Sequence, residues 1–217
     1  MRNGIVVEDA SRQSKIGFLR FGYCPAPVVV AVGGGGQGSN GGGGSGYVEY
    51  AEVLITQSYT EFMASVGEGG YNSGSTAIDG SYSFVTDLSH GNVTVVSAEG
   101  GHAASFDGGA GYSGGGGYDS IGYGGGWGGT DGSEGRNGTY VGGIGSGFDV
   151  STIPTKSVEL TPGDGGFGDN SPGGGGGGGG LMVNGQGPDD DYHDGQGYGG
   201  GGTSYKGDGI DGVIIFD

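Results

Sequence analysis

The residues best suited to chemistry are acidic side chains, several of them grouped around one histidine. His193 lies in the stretch PDDDYHDGQG, and a second acidic stretch, GDGIDG, occupies residues 207–212. Calcium prefers several carboxylate and carbonyl oxygens as ligands, so both stretches are candidate calcium sites. Neither matches an EF-hand loop or a calcium-binding repeat, and a solvated acidic turn is the alternative interpretation. The candidate ligands are Asp189, Asp190, Asp191, Asp194, Asp208 and Asp211.

Nucleophilic catalysis has only weak support in the sequence. The pattern GYSGG, residues 111–115, fits the nucleophile-elbow pattern G-x-S-x-G. With 64 glycines among 217 residues such a match is expected by chance, and no strand-to-helix context surrounds it. No lysine stands in a Walker arrangement. We therefore predict a protein that is not an enzyme, with no catalytic and no cofactor-binding residues.

Two short triplets are candidate glycosylation sites. They are Asn92-Val93-Thr94 and Asn137-Gly138-Thr139, so that Asn92 and Asn137 would be the acceptors in a secreted protein. Cys24 is the single cysteine, which excludes a disulfide within the chain. The N-terminus lacks the apolar run of a signal peptide, although the expected location is extracellular.

The charge of the chain restricts its partners. There are 24 acidic and 7 basic residues, for a net charge of −17. An acidic chain lacks the basic surface that phosphate contacts need, so we expect no nucleic-acid partner. Attraction to cations or to a mineral surface is compatible with this charge. No apolar stretch is long enough to span a bilayer, so we expect no membrane insertion.

The elements that must position these residues are short strands. Candidate segments are rich in Val, Ile, Phe, Tyr and Thr and are bounded by glycine, Asn or Asp turns. Nothing resembles an amphipathic helix of ten residues. The predicted strands are Gly17–Tyr23, Pro27–Val32, Tyr47–Thr56, Glu61–Val66, Tyr82–Asp87, Val93–Ser97, Lys156–Thr161 and Val213–Asp217.

The glycines between these strands recur at every third position in several stretches. A polyproline-II helix has three residues per turn, so such glycines share one face, along which two backbones can approach and hydrogen-bond. The run Gly173–Gly180 can do this on every side, and we predict it to be a fully surrounded helix in a bundle. A flexible linker is the alternative. The predicted positions in the core of the glycine helices are Gly126, Gly129, Gly132, Gly135, Gly138, Gly173, Gly176 and Gly179.

Aromatic residues interrupt the glycine tract rather than the serines typical of flexible linkers. Tyr112, Tyr118, Tyr123 and Trp127 lie within GYSGGGGYDSIGYGGGWGG. Tyrosine combines a flat apolar body with a polar tip. Packing over glycine helices is the favoured interpretation of these side chains, and surface contact with a ligand is the alternative.

These patterns together predict an all-β fold in which short strands lie beside packed polyglycine or polyproline-II helices, with essentially no α-helix; the arrangement of the strands as a β-sandwich is implied by the resemblance described below. We expect residues 28–217 to form one glycine-rich domain. Residues 1–27 are predicted to be an N-terminal extension or an edge strand.

The order of strand and glycine tract resembles several families of glycine-rich proteins. The stretches VVVAVGGGGQGSNGGGGSGY, SYTEFMASVGEGG and GDGIDGVIIFD are similar to segments of phage tail-tip adhesins. The same layout resembles the glycine-rich ectodomain of the anaplastic lymphoma kinase receptor. GGGGGGGGLMVNGQGP and DGQGYGGGG are similar to secreted glycine-rich proteins of marine invertebrates. The resemblance covers most of the chain from about Val28 and implies a sandwich of the tumour-necrosis-factor-like kind. It implies no single function and no enzyme.

Three functions are compatible with this sequence. The first is an extracellular structural protein that self-associates, as a homo-oligomer, into a fibre, a lattice or a biomineral-associated matrix. The second is a receptor-binding adhesin at the tip of a phage tail fibre, with a cell-surface ligand. The third, an ice-binding protein, is disfavoured because the three-residue period is broken and a disulfide framework is absent.

Overall fold

The computed structural model describes twelve ranges of the chain. They are 5–8, 16–22, 27–39, 41–53, 55, 59–71, 78–104, 150–163, 165–166, 176–188, 196–202 and 207–217. Within these ranges the protein is nearly all β, and the one helical element is the 3₁₀ turn Val150–Thr152. The strands are β1 (Ile5–Glu8), β2 (Ile16–Gly22), β3 (Val28–Val32), β4 (Val48–Glu52), β5 (Tyr59–Ser65), β6 (Ser83–Asp87), β7 (Val93–Ala98), β8 (Leu160–Pro162), β9 (Leu181–Val183) and β10 (Val213–Phe216).

Two four-stranded antiparallel sheets form the part of the molecule that we call the two-sheet body. The first sheet has the order β1-β10-β3-β4, and the second has the order β2-β5-β6-β7. A short antiparallel pair, β8-β9, is separate from both. The segment 1–27, predicted to be an extension or an edge strand, thus supplies a first or last strand to each sheet.

The two sheets share one buried cluster of apolar side chains. The first sheet contributes Val29, Ala31, Ile214 and Phe216, and the second contributes residues of β5, β6 and β7. The rings of Phe62 and Phe216 meet with their centroids 5.9 Å apart. Alternating residues of a strand point to opposite faces, so these side chains define the inner face of each sheet.

The outer face of the first sheet is also covered. Val28, Val30, Val32 and Ile215 pack with Leu181 and its neighbours in a second buried cluster. Burial on both faces explains why β3, with the sequence VVVAV, is apolar throughout and fully buried rather than alternating.

The outer face of the second sheet is more open. Phe18 of β2 is 65% exposed. Beside it, Arg20 pairs with Glu61 across the β2-β5 ladder at 3.1 Å. Among the exposed aromatic rings on the described edge strands, that of Phe18 on β2 is more open than that of Tyr50 on β4, which is 36% exposed.

The predicted strands agree with the structure in most places, and the exceptions have local causes. The predicted strand Tyr47–Thr56 ends at Glu52, because its partner β3 begins at Val28, directly opposite. The predicted strand Lys156–Thr161 begins only at Leu160. Before it, the N–H groups of Lys156 and Ser157 donate to the carboxylate of Asp217 instead of to a strand. Strands β1 and β9 were not predicted.

No helix within the described ranges combines the length and the apolar character needed to cross a membrane.

Glycine-rich segments continue the strands beyond the two-sheet body. We name them g1 (33–38), g2 (41–47), g3 (66–70), g4 (78–82), g5 (99–104), g6 (163 and 165–166), g7 (176–180), g8 (196–202) and g9 (207–212). Segments g1, g3, g5, g6 and g8 run away from the body, and the other four run back towards it.

Candidate binding surface on a hydrogen-bonded glycine array

The backbone N–H groups of g1 donate to three neighbouring segments in rotation. Those of Gly33, Gly34 and Gly35 donate to carbonyl oxygens of g2, g4 and g9, at 3.0, 3.0 and 2.8 Å. The next three residues of g1 donate to the same three segments in the same order. Donors that repeat every third residue mean that the backbone of g1 makes one turn in three residues.

The carbonyl groups of g1 accept hydrogen bonds from three further segments. Their donors are N–H groups of g5, g3 and g8. The six neighbours also bond to one another in the order g2-g5-g4-g3-g9-g8 and back to g2. One glycine segment is therefore enclosed by a closed ring of six, and we call the whole assembly, with g6 and g7, the glycine array.

At two central glycines of the array the spacing leaves no room for a side chain. A Cβ atom added at Gly34 would lie 2.0 Å from the carbonyl oxygen of Glu68, and one at Gly35 would lie 1.9 Å from that of Gly200. Both contacts involve backbone atoms, which cannot move aside as the end of a side chain can. Glycine is required at these positions by close approach, without any need for a positive φ.

The octaglycine run contributes an outer segment of the array. Its described residues form g7, which lies in the groove between g2 and g8. The N–H of Gly178 donates to the carbonyl of Gly43, and its own carbonyl accepts from Gly201 at 2.8 Å. Segment g6 bonds to g7 in turn. The described part of the run thus has three hydrogen-bonded neighbours among the described segments, and the segment with six described neighbours is g1.

Polar side chains complete the bonding where the array contains or meets other residues. Gln37, the fifth of the six residues of g1, is buried, and its Oε1 accepts the N–H of Ile78 at 3.2 Å. At the junction with the two-sheet body, the hydroxyl of Ser83 donates to the carbonyl of Val32 and accepts the N–H of Gly67.

The direction of the segments defines a distal tip, at the end of the array away from the two-sheet body. Strand β3 runs out through g1, the chain turns where the N–H of Ser39 donates to the carbonyl of Gly41, and g2 runs back into β4. Segments g3, g5, g6 and g8 also end at this tip, and g4, g7 and g9 begin there. The described residues that mark it are Ser39, Gly41, Tyr71, Ile78, Ala104, Gly166, Gly176, Gly202 and Gly207.

A recess of 240 Å³ lies on the outer side of the array, between g3 and g9. Glu68, Tyr71, Asp208 and Asp211 line it together with glycine backbone. Tyr71 is 49% exposed, and the carboxylate of Asp211 accepts the N–H of Gly69 at 2.7 Å. Two of the predicted calcium ligands, Asp208 and Asp211, are thus brought together.

Calcium binding stays a prediction for these two residues. Among the residues that the structure describes, no group of three or more His, Cys, Asp or Glu side chains is arranged to hold a metal ion. Sequence reasoning missed Glu68 and Tyr71. The signal for Tyr71 was its position directly after the glycine pair that ends g3, whereas no local pattern indicated Glu68.

A second polar group lies on g4 and g5. The N–H of Ala103 donates to the carboxylate of Asp79 at 2.7 Å, and the ring of His102 lies 3.4 Å from the same carboxylate. Nearer the two-sheet body, the hydroxyl of Tyr82 donates to Glu99 at 3.0 Å. This bond and the charge of Glu99 raise the pKa of Tyr82. Burial, and then the same charge, raise the pKa of Tyr47.

The turn between β6 and β7, at the far end of the two-sheet body, holds the third polar group. The buried carboxylate of Asp87 accepts the N–H groups of Ser89 and His90, and it lies 2.6 Å from Nδ1 of His90. Asn92, the first predicted glycosylation acceptor, is exposed on this turn, with φ of 59°. Its accessibility is compatible with modification, which stays a prediction.

Several predicted residues lie outside the described ranges. They are Asp189, Asp190, Asp191, Asp194, His193, Asn137, Gly126, Gly129, Gly132, Gly135, Gly138, Gly173, Tyr112, Tyr118, Tyr123, Trp127, the serine of GYSGG and Cys24. Of the predicted glycine-helix core, the structure describes Gly176 and Gly179, both in g7 and both buried.

No protein-family model, no curated protein and no solved structure matches this chain.

Proposed function

We propose that this protein is a non-enzymatic extracellular adhesin that presents a binding surface at the distal tip of the glycine array. In this proposal it belongs to the receptor-binding tip of a phage tail fibre, the class that the sequence resembles. Its partner would be a ligand on a cell surface. The observation that carries the proposal is that the glycine segments all end or begin at one tip, opposite the two-sheet body.

The fold proposed for this role is a β-sandwich of the tumour-necrosis-factor-like kind that continues into a bundle of polyglycine-II helices. The shared apolar cluster of the two sheets supports the sandwich. The three-residue rotation of the donors of g1 and its ring of six neighbours support the polyglycine-II helices. In such a bundle each segment is held laterally by several others, so the ends of the glycine segments at the tip are fixed relative to one another.

A rigid frame suits recognition because binding then costs less ordering entropy. Loops held by a rigid scaffold carry binding residues in many unrelated folds. At the tip, Tyr71 offers an exposed ring beside the carboxylates of the recess. Tyrosine is enriched among residues that dominate binding energies, which makes Tyr71 the first residue to test.

Two tyrosines provide a matched test of the location of the binding surface. Tyr71 lies at the tip and is 49% exposed, whereas Tyr82 lies at the body end of g4 and is 53% exposed. The labelled protein is incubated with intact cells from a panel of bacterial strains, and bound protein is measured against concentration. We expect saturable binding to a subset of strains, weakened at least about tenfold by Tyr71→Ala, a loss of roughly 1.4 kcal/mol.

The control variant Tyr82→Ala is expected to bind like the wild type. Equal losses in the two variants, or a loss only in Tyr82→Ala, would contradict a binding surface at the tip. If no strain in the panel shows saturable binding, the adhesin proposal loses its support.

A second candidate function is a structural protein that self-associates into a fibre, lattice or matrix. The exposed Phe18 on the edge strand β2 favours it, because unpaired strand edges can pair with another copy. Electron microscopy of the purified protein tests this role: ordered filaments or crystals that disappear in Phe18→Ser would support it. Calcium at Asp208 and Asp211 would suit a matrix that meets mineral, and a rise in melting temperature at millimolar calcium would support that site.

A further inference from the structure

Two aspartates lie on the outside of the array, at positions where a further glycine segment could otherwise form hydrogen bonds. Segment g7 occupies the groove between g2 and g8, and there it accepts an outward-facing N–H of the ring. That bond joins the N–H of Gly201 to the carbonyl of Gly178, at 2.8 Å. The ring has five further grooves of the same kind, each between two adjacent segments.

In the groove between g3 and g9, a side chain takes the place of such a carbonyl. The N–H of Gly69 in g3 donates to Oδ1 of Asp211, a residue of g9, at 2.7 Å. Gly69 is buried, and the recess of 240 Å³ marks this groove on the outside of the array.

The groove between g4 and g5 repeats the arrangement. The N–H of Ala103 in g5 donates to Oδ1 of Asp79, a residue of g4, at 2.7 Å. In both grooves the carboxylate belongs to the segment beside the donor, and both distances match the bond that g7 makes. An aspartate therefore satisfies the outward-facing N–H that a further glycine segment would accept.

We propose that Asp79 and Asp211 close these two grooves of the array, by occupying the acceptor positions that a glycine segment from a second copy of this chain would take. A carboxylate is suited to this because it accepts strong, charge-assisted hydrogen bonds from backbone N–H groups and offers a second oxygen to water. The unpaired backbone edges of sheets are likewise protected from association by features of their own chain.

Asp79 provides the cleaner test because its side chain is 60% exposed, so that its removal leaves no cavity. In Asp79→Ala, we expect the amide of Ala103 to exchange with solvent at least about tenfold faster, as a backbone donor that has lost its acceptor does. We also expect self-association that rises with concentration, measured by sedimentation velocity against the wild type. Because the wild type has the same strand β2, any association through that strand is present in both proteins and does not contribute to the difference.

Two variants separate the loss of the acceptor from the loss of charge. Asp79→Asn keeps an oxygen acceptor and should retain both the protection and the wild-type sedimentation. Glu159→Ala removes one exposed charge with no carboxylate bond to the array and should also behave as the wild type. Asp211→Ala, followed at the amide of Gly69, is the independent second measurement.

The proposal is overturned if Ala103 stays protected in Asp79→Ala, or if this variant sediments like the wild type at every concentration. It is also overturned if Asp79→Asn associates as strongly as Asp79→Ala, because charge alone would then explain the effect. None of these outcomes depends on whether the tip binds cells, so the two proposals can fail separately.

Discussion

The two-sheet body and the glycine array bury their backbones in opposite ways. In the body, strands pair along two edges, and their side chains fill the space between layers, as the rings of Phe62 and Phe216 do. In the array, a segment such as g1 pairs on all sides, and the space that side chains would fill is taken by neighbouring backbones. A chain with little apolar content can therefore still form a dense interior, provided that glycine recurs where backbones meet.

The largest expected effect comes from adding one methyl group inside the array. In Gly35→Ala the new carbon would lie 1.9 Å from the carbonyl oxygen of Gly200, a backbone atom held in the ring. We expect a loss of about 4 kcal/mol or more in the free energy of unfolding, measured in urea, because overpacking there must separate hydrogen-bonded segments.

The control for this change is Gly91→Ala in the turn between β6 and β7. Nothing lies within 4 Å of a Cβ atom there, and the cost comes only from its φ of 86°. The expected loss is about 1–2 kcal/mol, the cost of a left-handed conformation. Similar losses for the two alanine variants would mean that the array tolerates side chains.

Removing atoms from the two-sheet body is the converse experiment. Ile215 is fully buried in the cluster on the outer face of the first sheet. Ile215→Ala should lower the free energy of unfolding by about 2–5 kcal/mol, because it leaves a cavity. Val93→Ala, at a position 55% exposed, should change it by less than about 0.5 kcal/mol. Equal effects at the two sites would contradict side-chain packing as the basis of the body.

The junction between the two regions depends on one hydroxyl group. Ser83 is fully buried and bonds the carbonyl of Val32 at 2.5 Å and the N–H of Gly67 at 2.8 Å. Ser83→Ala leaves both groups without this partner and should cost about 1–3 kcal/mol in thermal or urea unfolding. Ser97→Ala, on the exposed side of β7, is the matched control and should be close to neutral. No loss in Ser83→Ala would show that the junction is held by other contacts.

The smallest expected effect depends on pH, at Asp217. Burial raises the pKa of its carboxyl, but hydrogen bonds from Ser157 and from the N–H of Lys156 outweigh this and lower the pKa below 3.8. A carboxyl whose pKa falls on folding stabilises the protein above its unfolded value, and the gain is lost as the pH falls through the folded value.

Near neutral pH the free energy of unfolding of the wild type should therefore exceed that of Asp217→Asn, by less than about 1 kcal/mol because solvent reaches the site. The difference should shrink below pH 3.8. A difference that is constant from neutral to acid pH would contradict this account.

The sequence predicted the strands better than it predicted the array. Alternation and β-branched residues are local signals, so β3, β6 and β10 were predicted within a residue or two. Strand β9 was missed because LMV is too short a run to distinguish from a loop. The prediction of glycine helices was made from the period of three, and it placed the fully surrounded helix at Gly173–Gly180. The segment that the structure shows with six neighbours is g1, and the described residues of that run bond to three described segments.

That difference has a physical reason. The number of neighbours of a glycine segment is set by which distant segments reach it, and all glycine runs look alike in this respect. The neighbours of g1 come from positions as far apart as g2 and g9. In the same way, the pairing of Asp211 with Gly69 joins residues 142 positions apart, which no local pattern indicates.

The rotation of the donors of g1 through three neighbours restricts how the length of the chain can change. Deleting one residue from g1 would turn every later N–H group by about a third of a turn, towards the wrong neighbour. Length changes inside g1 should therefore be tolerated only in multiples of three, whereas a strand of the two-sheet body requires multiples of two. Neither rule applies to the turn between Ser39 and Gly41, so insertions and deletions among natural variants should accumulate there rather than inside g1.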